Sequence, residues 1–274
     1  MSKATEAASR VSNETASRSG AEIFTETLPQ QPVKLAVGES VRIEIGQLHL
    51  DITRQPKEWL VTYMHWRQVP GRSTLEFGEE IRQRFVLPDA VSEVSFKALL
   101  ADRSLVTQPY SPINLLPGAR TRIYVSSPIY FEIVIGGRKL LELPSLRLSD
   151  TWFGLRTGPG ELCYSDSTRA RLDVENLDQP PFKAVTPIQI SNFGSKQLVL
   201  DRINVPLPLL TLYQRRSDDR YLTSSISITL QASDENTQVK LSAEEDHSND
   251  DLVSPARRVH KKQFFSRAIN LFLS

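Results

Sequence analysis

Apolar and polar residues alternate with period two in short runs from residue 33 onward, the pattern of strands with one buried face. Val33-Lys34-Leu35-Ala36-Val37, Val41-Arg42-Ile43-Glu44-Ile45 and Leu48-His49-Leu50-Asp51-Ile52 follow one another, with Gly38 and Gly46 in the gaps. Strand, turn, strand, turn is the economical reading. The pattern predicts further strands at 58–66, 82–87, 93–99, 121–126, 129–135 and 139–148. Pro70, Pro88, Pro109, Pro117 and Pro128 punctuate this stretch, which suits strand starts and edges and is hostile to long helices. A second block of strands is expected at 151–155, 161–164, 169–175, 185–191, 197–205, 209–213 and 221–231.

No window in this body has a helical period long enough to interleave helices between strands, and no repeat of fixed length occurs. The expectation is therefore an all-β protein of two antiparallel β-sandwich-like halves, residues 31–149 and 150–232, with one merged sandwich as the alternative. Residues 1–30 are mostly Ser, Thr, Ala and Glu and read as a disordered leader. Residues 233–254 read as an acidic linker, with seven acids against Lys240 between 233 and 251.

After the linker the sign inverts. Residues 252–274 hold Arg257, Arg258, Lys261, Lys262 and Arg267 and no acid. Phe264, Phe265, Ile269 and Phe272 recur at helical spacing, so 255–274 reads as a short basic amphipathic helix starting at Pro255. Such helices lie on membrane surfaces or in grooves of partner proteins. The plainer alternatives are a helix folded back onto the body or a disordered tail. The named cations and apolar residues are the expected contacts with a protein partner at the membrane or with an anionic lipid surface.

The whole chain of 274 residues is nearly neutral, with a net charge of +1, so no global charge points to nucleic acid. A single cysteine, Cys163, cannot close an intrachain disulfide and favours a reducing compartment. With no signal peptide legible at the N-terminus, the expected location is cytoplasmic, peripheral at the inner face of the membrane if the tail docks there.

Candidate chemistry is sparse. His49, His65, His247 and His260 have no metal-ligand spacing, and Cys163 alternates like a buried strand residue rather than a nucleophile. The stretch 154–160 is rich in glycine, but Glu161-Leu162 stand where a phosphate loop needs Lys and Ser or Thr, so a hairpin connection is the better account. Asp201, Asp218 and Asp219 have no recognisable catalytic partner, and the 215–220 loop reads as solvated. Trp59 and Tyr63 share a strand face and form a candidate platform for a small molecule or sugar, with core packing as the ordinary fate of such aromatics. No enzyme, no cofactor and no metal is expected. The leading expectation is a non-enzymatic interaction protein docking through its tail; the alternative is a ligand-binding β-sandwich sensor.

The run Ile129-Tyr130-Phe131-Glu132-Ile133-Val134-Ile135-Gly136-Gly137, followed by Trp152-Phe153-Gly154 and Gly160-Glu161-Leu162-Cys163-Tyr164, resembles the prokaryotic domain of unknown function 432 family. The likeness covers about residues 40–231 and continues through 184–192, 198–205 and 209–213. Where that family carries an arginine after the cysteine, this chain has Tyr164, which weakens any shared charged site. The resemblance implies a soluble all-β protein without catalytic residues, in a family encoded beside small-conductance mechanosensitive channels. That association agrees with a partner at a membrane, contacted through the basic tail.

Overall fold

A computed structural model describes residues 22–68, 75–88, 90–154, 160–166, 169–177, 179–230, 237–242 and 247–258. The protein is all-β there: 23 strands, numbered β1–β23 along the chain, and two single 3-10 turns at Val174–Asn176 and Leu207–Leu209.

One sheet runs in the order β1 (Glu22–Thr25), β3 (Ser40–Ile45), β4 (Leu48–Arg54), β5 (Trp59–Gln68) and β6 (Leu75–Phe77), with β7 (Ile81–Phe85) also pairing β5. A second comprises β13 (Arg138–Pro144), β12 (Tyr130–Ile135), β8 (Glu93–Leu99) and β2 (Val33–Lys34). Alternation drives their packing: Val41, Ile43 and Ile45 are buried while Arg42 and Glu44 between them are not. Together with Leu48, Leu50 and Ile52 they meet Val94, Phe131, Ile133 and Ile135 in a first core.

The largest sheet is built around β16 (Lys183–Asn192), antiparallel to β11 (Arg120–Pro128) on one edge and parallel to β20 (Tyr221–Thr223) and β21 (Ser225–Leu230) on the other. It extends through β19 (Leu212–Arg215) and β23 (Asp250–Ser254) on one side and β22 (Thr237–Ser242) on the other. Pro187 sits mid-strand in β16, where a missing N–H would break a continuous ladder. The partner edge changes there, from Val185 paired with Leu222 to Ile188 paired with Ile226, so the proline falls in the gap between two partners. A smaller sheet takes the order β14 (Ser149–Gly154), β15 (Gly160–Ser165), β9 (Leu105–Thr107) and β18 (Ile203–Val205), and β10 (Ile113–Leu115) pairs β17 (Leu198–Leu200). These strands enclose the second core, which includes Leu105, Ile123, Ile188, Ile203 and Leu212.

Residues 98–130 and then 153–230 supply that second core, so the cores interleave along the chain instead of parting at 149/150. Pairing is also mixed: β1 with β3, β9 with β15, and β16 with both β20 and β21 are parallel. The expected leader of 1–30 is too long, because Glu22–Thr25 covers the edge of β3 and Leu28 packs against both cores. The expected strand at 169–175 is two isolated bridges and a 3-10 turn.

The acidic linker is overturned most clearly. Thr237–Ser242 and Asp250–Ser254 are strands that pair β21 and β19; β23 sets Asp250 opposite Arg215, and Asp251 accepts hydrogen bonds from Arg216 at 2.9 and 2.6 Å. The predicted helix does not begin at Pro255 either, since residues 255–258 are irregular. Among the described residues no helix is long and apolar enough to cross a membrane.

Candidate functional site

The C-terminal segment is rooted in the body before it leaves the described residues. β23 holds residues 250–254 against β19, and the backbone N–H of Arg258 donates to Pro208 O at 3.0 Å. Between them Arg257 reaches back across the molecule. Its Nε donates to Leu100 O at 2.7 Å, and its two terminal nitrogens grip both oxygens of Glu142, Nη1 to Oε2 at 3.2 Å and Nη2 to Oε1. A planar guanidinium suits this two-pronged contact better than an ammonium could.

Lys139 completes the cluster, with Nζ donating to Glu142 at 2.6 Å and to Glu132 at 2.8 Å. Burial alone would raise the Glu142 carboxyl, but the hydrogen bonds from Arg257 and Lys139 outweigh it and hold the group below its ordinary value. Nearby, Tyr164 donates its hydroxyl to Asp102 at 2.9 Å and lies beneath the Arg103 guanidinium, 4.8 Å from the ring centre. Tyr130, against Tyr164, is held protonated by burial first and by that neighbour second. Leu100 belongs to the second core and Leu143, next to Glu142, to the first, so the root sits on the seam between the cores.

The named tail residues therefore divide. Arg257 is a structural clamp rather than a free contact, and Arg258 is exposed beside it. Lys261, Lys262, Phe264, Phe265, Ile269 and Phe272 lie outside the described residues. Nothing in the sequence pattern could have singled out Glu142 as the partner of Arg257, because the two are 115 residues apart.

The aromatic platform is corrected. Trp59 is only 3% exposed and lies in the first core, and Tyr63 is partly buried against the same core. A strand that is paired on both edges and packed over a core presents its largest side chain inward. Farther along β5, His65 and Trp66 line a cleft of about 830 Å³ with Gln47, Phe77, Arg147 and Asp150, between the β4–β5 sheet and the chain leading into β14. Gly46, the residue before Gln47, approaches the backbone closely: with φ at +63°, a Cβ there would lie 2.5 Å from Ser145 O. His65 Nε2 bonds Pro144 O at 2.8 Å, and burial is the main force that keeps the ring neutral below its usual range. The cleft brings the aromatic side chains of Trp66 and Phe77 beside the polar ones of Gln47, Arg147 and Asp150.

Cys163 is fully buried, and burial pushes its thiol up to about 12, so it is a packing residue. Gly154 pairs with Gly160 across β14 and β15, which makes the glycine-rich stretch a hairpin; its tip lies outside the described residues. The loop after β19 is salt-bridged within itself, Arg215 and Arg220 each lying 3.4 Å from Asp218.

No curated protein and no solved structure matches the chain. The model of a protein family of unknown function, DUF432, matches residues 31–273, nearly nine-tenths of its length, through both cores, the rooted segment and the tail beyond it, and the chain belongs to that family.

Proposed function

We propose that the protein is a non-enzymatic interaction protein: a β-sandwich-like body with two interleaved cores carries a basic amphipathic helix within 259–274, which docks on a membrane-associated protein, a mechanosensitive-type channel being the partner that the family resemblance suggests, or on anionic lipid. The observation that supports this reading is the Arg257 clamp. The body grips the chain at a charged fork on the seam between the cores, and the apolar residues Phe264, Phe265, Ile269 and Phe272 follow that fork in the sequence. Clamping also commits Arg257 to the body, leaving Arg258, Lys261, Lys262 and Arg267 as the cations for a partner. Each cation close to an anionic surface is worth about 1 kcal/mol, and the attraction is screened by salt.

The test is co-sedimentation with native membranes and with vesicles of anionic phospholipid, for the full chain and for a chain ending at Arg258. Sedimentation of the full chain only, weakening as salt is raised, is the expected result; binding to native membranes but not to vesicles identifies a protein partner. Equal sedimentation of both chains would sink the proposal. A second reading, a sensor for a small molecule or sugar, is favoured by the Trp66–Phe77 cleft rather than by Trp59.

A further inference from the structure

A second cleft, of about 450 Å³, opens where the parallel strands β9 and β15 end together. Thr107 and Gln108 form its centre; Ser165 and Asp166 flank them on one side, Arg202 on the other, and Arg169 closes it beside the Gln108–Ala170 hydrogen bond of 2.9 Å. The Asp166 side chain is only 7% exposed and Lys183 behind it 6%, with Nζ 3.6 Å from Oδ2. That oxygen is sealed from solvent without a hydrogen bond, so the other carboxylate oxygen is the one that meets the cleft. The cleft-facing oxygen is the acceptor that a ligand hydroxyl can reach.

The opposite deficit lies across the strand. Arg202 stacks over Phe153 at 5.5 Å and makes one long hydrogen bond, 3.4 Å, to Trp152 O; Arg169 stacks over Tyr110 at 5.9 Å. Neither forms a salt bridge to a carboxylate among the described residues. Because Lys183 already balances Asp166, the lining carries an uncompensated positive charge.

From a carboxylate with one oxygen open to a cleft that also holds two guanidiniums without a carboxylate partner among the described residues, we infer that this cleft binds a small hydroxylated anion, a phosphorylated polyol or a hydroxy acid. Its phosphate or carboxylate meets Arg169 and Arg202, and its hydroxyl donates to Asp166. The volume is in the range of small-molecule sites. Cleft and ligand are independent of the tail.

Isothermal titration of the full chain with glycerol 3-phosphate and with glycerate tests it, with inorganic phosphate and glycerol as the separate halves. At least one of the two hydroxylated anions should bind saturably with one-to-one stoichiometry, and both halves about tenfold or more weaker. Arg169→Gln with Arg202→Gln should weaken binding about tenfold or more at unchanged melting temperature. Asp166→Asn should erase the preference for glycerol 3-phosphate over phosphate; if that variant does not fold, the arginine pair still decides. Absence of saturable binding by both anions, or undiminished affinity in the double arginine variant, overturns the inference.

Discussion

Glu142 and Asp166 are both carboxylates sunk into the body beside a cation, yet their surroundings differ in kind. Glu142 is gripped on both oxygens by Arg257 and again by Lys139, so its charge is matched and its acceptors are filled. Asp166 is more deeply buried, faces a single ammonium at 3.6 Å, and keeps a sealed oxygen with no donor. A filled network locks one conformation, whereas Asp166 keeps its second oxygen toward the cleft, where a bound molecule can supply a donor. The first pins the chain at Arg257; the second is where the inferred anion would bind.

The comparison can be broken by taking the cations away. Lys183→Met should cost about 3–5 kcal/mol in denaturant unfolding, because it strands a buried charge. Replacing both partners, Lys183→Met with Asp166→Leu, should recover most of that loss, since isosteric apolar pairs are often neutral or stabilising. A similar loss in the double variant would show that the pair itself stabilises the fold.

Glu142→Gln should cost less, about 1–3 kcal/mol, and should expose the chain near Arg258 to limited proteolysis without changing anion binding at the other site. A tail that stays protected would show that β23 alone anchors it. Acid should act selectively on the clamp. The Glu142 carboxyl is lowered in the folded protein, so its contribution is complete above the ordinary glutamate value of about 4.3 and is lost as pH falls through the lower folded value. The melting-temperature gap between the full chain and Glu142→Gln should therefore be constant near neutrality and close below about pH 4.

The smallest effect concerns Cys163, on the strand that ends in Ser165 beside Asp166. Its thiol should resist labelling in the native protein at neutral pH and react on unfolding, whether or not a ligand occupies the cleft. Labelling accelerated by Lys183→Met would place the opening of β15 under the control of the buried pair.

Much of the fold was legible because a half-buried strand writes its environment into alternate residues. Glu93–Leu99 was expected at the bounds it has, and Val41–Ile45 differs only by Ser40. The three-residue strands Leu105–Thr107 and Ile113–Leu115 escaped notice, since three residues hold no period. The acids near 250 were misread as a solvated linker because local charge cannot say whether arginines wait on a neighbouring strand. Of the candidate site, the basic stripe of the tail was legible and its anchor was not; Trp59 and Tyr63 were noticed, but the cleft formed at Trp66, seven residues beyond Trp59 and past the covered part of the strand.

Local order alone therefore dictated the strand class, the turns at glycine and proline and the sign of the charge near the C-terminus. Those properties depend on neighbours within a few residues. Which aromatic is sealed in, which carboxylate is filled and which is left wanting were settled only when distant strands came together. Burial and hydrogen-bond satisfaction are properties of a surrounding, and folding assembles that surrounding from segments that lie far apart along the chain.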